Sequence, residues 1–239
     1  MPDRGYTLSP SGQRIYQHKP LEHDGLILPI NWSVYQQDIE QYLEKAFGPR
    51  ESFVSHELVS DIVHIDIYVL LPTDQDNRCI LFSSGMSDLP MTMPPELLPE
   101  YAHLQRAELV MYLPGEWDIK NKDDEWFWPI KLVSLLARLP HQFETWLGHG
   151  HSIPSGCDNA PYAKNTKLCG CVLYCFNQPD NPIMASDGTD IQIYTIVPVY
   201  RQEMNYKLKN NADKLLAKLK KAGISETVNI TRKNVCSLF

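Results

Sequence analysis

Strand-like segments follow one another along most of this chain, and only three helical segments interrupt them. In the clearest strand, residues 62–71, Ile65, Ile67 and Val69 alternate with an aspartate and a tyrosine until Pro72 ends the run. Further strands are predicted at residues 52–60, 79–83, 107–113, 168–176 and 191–200, with a short one at 227–231. Strands in runs, rather than in strict alternation with helices, indicate an α+β fold with a largely antiparallel or mixed sheet covered by helices.

Helical periodicity is present at residues 32–47, 127–147 and 210–222. Asn31 is a candidate N-cap for the first helix. In the second and longest helix, Pro129 suits the first turn, whereas Pro140 should kink or split the helix. Apolar side chains lie nearly all round this helix, so we expect it to be well buried.

The chain has 239 residues, of which 43% are hydrophobic, and this is enough for one sizeable core. We expect a single domain at residues 32–225, preceded by an irregular arm at 1–31 that can hold a short hairpin and followed by a tail at 226–239. No apolar run approaches the ~20 residues that cross a bilayer. Since the N-terminus also lacks the apolar segment of a secretory signal, we expect a cytoplasmic protein that does not bind membranes.

Six cysteines are spread unevenly along the sequence. A disulfide framework belongs mainly to short secreted domains, so we predict that all six thiols are reduced. Three of them, Cys169, Cys171 and Cys175, would share one face of a strand as small core residues. Their spacing does not form the paired knuckle of a structural zinc site.

The net charge of −7 argues against nucleic acid as the main partner. Charge is distributed unevenly, because residues 61–128 hold 13 acidic and 4 basic residues and residues 201–239 hold 3 acidic and 9 basic ones. The acidic middle could steer a basic protein towards it. The alternative is a solvated acidic surface that serves solubility.

Two histidines in a glycine-rich loop, His149 and His151, raise the alternative of an enzyme. Together with Cys157 they could form a thiol or metal-dependent site. No carboxylate stands at a recognisable ligand spacing and no phosphate-binding glycine loop is present, so we expect no catalytic residue, metal or cofactor. Asp66 and Glu108 are predicted to lie on the solvent-facing side of a half-covered sheet.

A cluster of aromatic and acidic side chains precedes the longest predicted helix. Its members are Trp117, Asp123, Asp124, Glu125, Trp126 and Trp128. Aromatic groups beside charges are typical of a protein-binding surface, but the tryptophans could equally anchor the segment to the core. The same choice between surface and core applies to Met86, Met91 and Met93 in an earlier loop.

Several segments, taken in order, resemble the suppressor of fused family. The strand at residues 79–84 leads into a Gly-hydrophobic-Ser-Asp-Leu turn formed by Gly85, Met86, Ser87, Asp88 and Leu89. Further similar blocks are the strand 107–113, the helical segments 128–130 and 135–139, the loop of Gly148, His149, Gly150 and His151, and the segment 191–203. Any one block is weak, and their order makes the resemblance specific.

The resemblance implies a protein-binding domain without catalytic residues. The family includes animal Hedgehog-pathway regulators and many bacterial single-domain members, which often occur beside polymorphic toxins and are inferred to be immunity proteins. This chain has about half the length of the animal proteins, so the bacterial single-domain type fits it better. We therefore expect a non-catalytic protein-binding module of bacterial origin, an immunity protein that neutralises a cognate toxin, and a basic toxin domain is the candidate partner. Its oligomeric state is left open.

Overall fold

The computed structural model describes residues 5–22, 25, 27–29, 32–156, 158–175 and 182–237. Asn31 and Cys157 lie outside the described residues. Near the N-terminus, β1 (Tyr6–Leu8) and β2 (Arg14–Tyr16) pair in antiparallel fashion. This pair is the short hairpin that the arm was expected to hold.

An eight-stranded mixed sheet forms the centre of the fold. Its strands are β3 (Ser52–Ser55), β4 (Asp66–Leu70), β5 (Arg78–Ser84), β6 (Ala107–Pro114), β7 (Ser152–Pro154), β8 (Gly170–Tyr174), β9 (Ile183–Met184) and β10 (Asp190–Val199). Seven of them are ordered β3-β4-β5-β6-β10-β8-β7, and β9 pairs with β10. β6 and β10 are parallel, whereas the other neighbouring strands are antiparallel. The predicted α+β fold is confirmed.

Five helices accompany the sheet in the described residues. They are α1 (Gln36–Phe47), α2 (Leu98–Tyr101), α3 (Asp124–Gln142), α4 (Arg201–Lys209) and α5 (Ala212–Lys221). None of the described helices is long and apolar enough to cross a membrane.

Helices cover both faces of the sheet. Alternation along β4 sends Ile67 and Val69 into the core beneath α3, and Tyr68 and Leu70 into a second core beneath α1. At the far end of the sheet, α4 and α5 cover the side chains of Val172, Val197 and Val199 in a third cluster. Because the central strands are buried on both faces, they contain almost continuous apolar runs.

Several predicted helix bounds were wrong. The first helix begins at Gln36 rather than at residue 32, which leaves Trp32 outside it. The longest helix spans Asp124–Gln142 rather than 127–147, so Pro129 lies beyond its first turn, and the helix continues through Pro140 and ends at Gln142. Pro140 therefore does not split the helix; it lies in the last turn, where it removes the one hydrogen bond that its own N–H would have donated.

The C-terminal half also differs from prediction. The helix predicted at 210–222 is present as α5, whereas α4, directly before it, was not predicted; Asn210 and Asn211 separate the two. The strand expected at 227–231 is reduced to a bridge between Thr227 and Tyr112. The predicted domain limits stay a prediction, and the structure adds that Val228 is buried in the main core.

Candidate functional site

The family-like turn after β5 is buried. Gly85 has φ of 108°, and a Cβ at this position would collide with the backbone oxygen of His64, so only glycine fits. Met86, Ser87 and Asp88 form a short 3-10 turn in which every side chain is buried. Met86 and the following methionines, Met91 and Met93, fill the core. Of the two alternatives for this loop, the structure supports core packing.

Glu108 on β6 holds the turn in place. Its Oε1 accepts hydrogen bonds from the N–H of Gly85 at 3.1 Å, the N–H of Ser87 at 2.9 Å and the Ser87 hydroxyl at 2.6 Å. Its Oε2 accepts from the Ser83 hydroxyl at 2.5 Å. Burial raises the pKa of Glu108 to about 7, although the serine hydrogen bonds act in the opposite direction.

The predicted solvent-facing position of Glu108 was wrong, because its side chain is fully buried. β6 is a central strand with helices over both faces, so the residues that alternate with its apolar side chains have no solvent face to occupy. Asp66, at the start of β4 near the edge of the sheet, is partly exposed.

The same turn connects three further elements. Asp88 accepts a hydrogen bond from the N–H of Tyr35, just before α1, at 3.4 Å. His141 of α3 is hydrogen-bonded through Nε2 to the Met86 carbonyl at 2.9 Å, and Arg106 donates to the Ser87 carbonyl at 2.5 Å. The turn therefore joins sheet and helices, and a partner could contact the side chains of Met86, Ser87 and Asp88 only if it opened.

Trp117 before α3, and Trp126 and Trp128 in its first two turns, pack against the core rather than facing solvent. The Trp117 ring meets Trp126 and Trp128 edge-on, with ring centroids 5.3 and 6.0 Å apart, and its Nε1–H donates to the Trp126 carbonyl at 2.9 Å. Trp128 stacks on Tyr162 with centroids 5.0 Å apart. Trp117 and Trp128 are buried. These contacts support the anchoring alternative.

The neighbouring acids do face solvent. Asp123 and Asp124 are exposed and Glu125 is half-buried. Asp124 pairs with Lys131 at 2.6 Å, and Lys122 lies over the Phe127 ring at 4.5 Å. Elsewhere in the acidic middle, Asp88 and Glu108 are buried, so the acidic surface is smaller than the sequence count suggested.

The loop of Gly148, His149, Gly150 and His151 lies against the start of α5. His149 is partly exposed, 3.7 Å from Asp213, and its ring is 5.0 Å from that of Tyr174. His151 packs edge-on against Trp146, and burial lowers its pKa to about 4, so it is neutral at physiological pH. Within the described residues, no group of three or more His, Cys, Asp or Glu side chains is arranged to hold a metal.

The described cysteines do not form a reactive cluster. Burial raises the pKa of Cys79 to about 11 and that of Cys171 to about 12. Cys169 is also buried. Such thiols are poor nucleophiles at neutral pH, and the reduced state of all six cysteines stays a prediction.

A surface that the sequence analysis did not identify lies beside the β3–β4 loop. Six large apolar side chains are exposed there, and we call them the β3–β4 patch: Ile27 (42% exposed), Leu28 (68%), Trp32 (61%), Val34 (50%), Leu58 (95%) and Val59 (71%). The sequence analysis placed Trp32 on a helix and Leu58 and Val59 in a strand. It did not predict that these three side chains are exposed. One feature of the sequence could have indicated this exposure. Leu58 and Val59 are adjacent apolar residues between polar ones, and such a pair breaks the alternation of a half-buried strand.

Contacts bring the two halves of this patch together. The N–H of Ile27 donates to Asp61 at 2.9 Å, and the N–H of Ile62 donates to the Ile27 carbonyl at 2.7 Å. The Trp32 ring lies 4.5 Å from the His64 ring. The described residues 27–29 and 32–34 therefore lie against the loop that carries Leu58 and Val59.

Comparisons with known proteins agree with this fold. The family model for Suppressor of fused protein (SUFU) matches residues 61–233. Among solved structures, a protein described as a SUFU homolog from Neisseria gonorrhoeae is 14% identical with a TM-score of 0.61, and the match covers 86% of this chain and 98% of that one.

Two further structures share the fold. A chain in the Sufu-Fu complex is 18% identical with a TM-score of 0.59, and the match covers 87% of this chain and 93% of that one. Drosophila Suppressor of Fused is 16% identical with a TM-score of 0.59, and the match covers 90% of this chain but 54% of that one. A search of curated proteins found no match. The family model covers most of the chain, and the chain belongs to the suppressor of fused family.

Proposed function

We propose that this chain is a non-catalytic protein-binding module that works as a bacterial immunity protein and neutralises a cognate toxin in the cytoplasm. The observation that carries the proposal is the match with the Neisseria gonorrhoeae homolog over nearly its whole length. By contrast, this chain spans about half of Drosophila Suppressor of Fused.

The distribution of buried and exposed groups supports binding. The polar groups around Glu108 are occupied with holding the turn after β5. The exposed acids at Asp123 and Asp124 can attract a basic partner, because charges at a surface steer diffusional encounter. In the described part of the alternative enzyme site, His149 lies near Asp213 and His151 is neutral and packed against Trp146.

The test is to express the product of the gene that neighbours this one, alone and together with this chain, in a bacterial host. We expect that the neighbour's product stops growth, that co-expression restores growth, and that the two proteins elute as one complex in size-exclusion chromatography. A matched control is an unrelated acidic protein of similar size, which should not rescue growth.

Two results would contradict the proposal. One is a toxic neighbour that folded, soluble chain neither rescues nor binds. The other is a neighbour without toxicity that acts as a metabolic enzyme together with this chain.

A further inference from the structure

We propose that the β3–β4 patch is a docking surface for a partner segment whose apolar side chains are flanked by lysine or arginine. This inference rests on the proposed protein-binding function and names a surface and a partner chemistry for it. Four observations carry it: exposure, rigidity, backbone strain and charge.

Exposure sets this surface apart from the rest of the molecule. Leu58 is 95% exposed and Val59 is 71% exposed, although both would gain from leaving water. Other large exposed apolar side chains, such as Leu135 and Met184, lie on α3 and β9. Single exposed apolar residues are ordinary, whereas a group of six on two contacting segments is typical of an interaction site.

The loop that carries Leu58 and Val59 is held in one conformation. Asp66 accepts hydrogen bonds from the ring nitrogens of His56 at 3.0 Å and His64 at 3.1 Å, and from the N–H of Glu57 at 3.2 Å. The other ring nitrogen of His64 is 2.6 Å from the Ser60 hydroxyl. A loop ordered before binding loses less entropy when a partner docks.

Ser60, His64 and Asp66 contact one another in the order that also occurs in the Ser-His-Asp triads of hydrolases. Catalysis needs, in addition, oxyanion donors and a substrate pocket at the serine. Ser60 and His64 are only four residues apart and close their own loop, so the local structure already accounts for the hydrogen bond between them.

Backbone strain marks the same loop. Ile62 has φ of 68°, a left-handed conformation that β-branched residues rarely adopt. The N–H of Ile62 donates to Ile27 and the N–H of Val63 donates to the Asp61 carbonyl at 2.8 Å, which keeps the conformation in place. Strained residues of this kind gather where a surface has to present particular groups.

Charge indicates the partner. The described residues at 27–38 and 51–66 contain no lysine or arginine, but they include five acids: Asp38, Glu51, Glu57, Asp61 and Asp66. Asp61 contacts the patch directly through the N–H of Ile27, whereas Asp66 is engaged by His56 and His64, and Asp38 accepts from Ser186. The guanidinium of Arg138, from α3, pairs with Glu57. A second copy of this chain that docks through the same surface would place acids against acids, which costs free energy, whereas a basic partner complements them.

The test uses short fluorescent peptides with an apolar core, flanked in one by lysines and in the other by glutamates. Fluorescence anisotropy at low salt should show that the chain binds the lysine-flanked peptide about tenfold more tightly. The double variant Leu58→Ser/Val59→Ser should lose about tenfold in affinity for that peptide. The matched control Leu135→Ser, which removes an exposed leucine on α3, should bind as the unchanged chain does.

Equal binding of the two peptides, or unchanged binding by the double variant, would overturn the proposal. So would a dimer in sedimentation velocity that Leu58→Ser/Val59→Ser abolishes, because the patch would then be a contact between copies. If the cognate toxin binds the double variant as well as the unchanged chain, the surface is wrong and the immunity function stands. If the toxin does not bind the unchanged chain, the proposed function fails.

Discussion

The segment at residues 117–128 and the β3–β4 patch contrast in what they do with their aromatic and apolar side chains. The first is rich in tryptophan and acid, yet Trp117 and Trp128 are buried against each other and against Tyr162. The second consists of unremarkable residues, yet Trp32, Leu58 and Val59 face water. Composition alone therefore does not identify a binding surface, and what decides is whether the fold supplies neighbours that cover each side chain.

The largest expected effect concerns stability. Trp128→Ala should lower the free energy of unfolding by about 3–5 kcal/mol, because it removes a large side chain from the core. Trp32→Ala should cost less than about 1 kcal/mol, since its ring is mostly exposed. Urea denaturation of both variants measures the difference. Similar losses in the two would show that the contrast between the regions is false.

A smaller but still large effect is expected at Glu108. Glu108→Ala leaves the buried donors of Gly85, Ser83 and Ser87 without their acceptor, which should cost about 3 kcal/mol. Glu116→Ala, which removes an exposed acid, is the matched control and should change stability by less than about 0.5 kcal/mol. Equal effects in urea denaturation would contradict the structural role of the carboxylate.

The pH dependence of stability offers a second test of Glu108. Its pKa rises from 4.5 in the unfolded chain to about 7 in the fold, so the native state holds a proton that the unfolded state releases between these values. This group therefore contributes stability that is lost as pH rises from about 4.5 to 7. The variant Glu108→Gln should lack this pH-dependent contribution to the free energy of unfolding. If stability changes with pH in the variant as it does in the unchanged chain, the prediction is wrong.

The smallest effect on stability is expected at the three acids at the N-terminus of α3. Changing Asp123, Asp124 and Glu125 to lysine should cost roughly 0.3–1 kcal/mol each, because acids stabilise a helix N-terminus. If this segment steers the partner, association should slow most at low salt, while dissociation changes little. Asp74→Lys, at an exposed acid elsewhere, is the control. An unchanged association rate would identify the segment as a solvated face.

Sequence reasoning predicted the sheet well because its strands carry their own signal. Ile67 and Val69 alternate with neighbours along β4, and Gly85 ends β5 at a position where only glycine fits. The pairing of β6 with β10 in parallel could not be predicted, because it joins residues far apart in the chain. The burial of Glu108 follows from that pairing.

The site was predicted less well, for a physical reason. Trp32 has helical spacing to Tyr35 and Ile39, which suggested burial, but the chain enters α1 only at Gln36 and leaves the ring outside. Likewise Asp123 and Asp124 are exposed, whereas the burial of the tryptophans beside them was not settled by spacing. Burial depends on which elements meet in space, and a single sequence carries little of that information.

Binding kinetics with the cognate partner test the central claim most directly. Surface plasmon resonance should compare the unchanged chain, Leu58→Ser/Val59→Ser and the triple lysine variant at residues 123–125. The account predicts that the double variant dissociates about tenfold faster with little change in association, and that the triple variant associates more slowly with little change in dissociation. Faster dissociation of the triple variant, with unchanged kinetics for the double variant, would contradict the account.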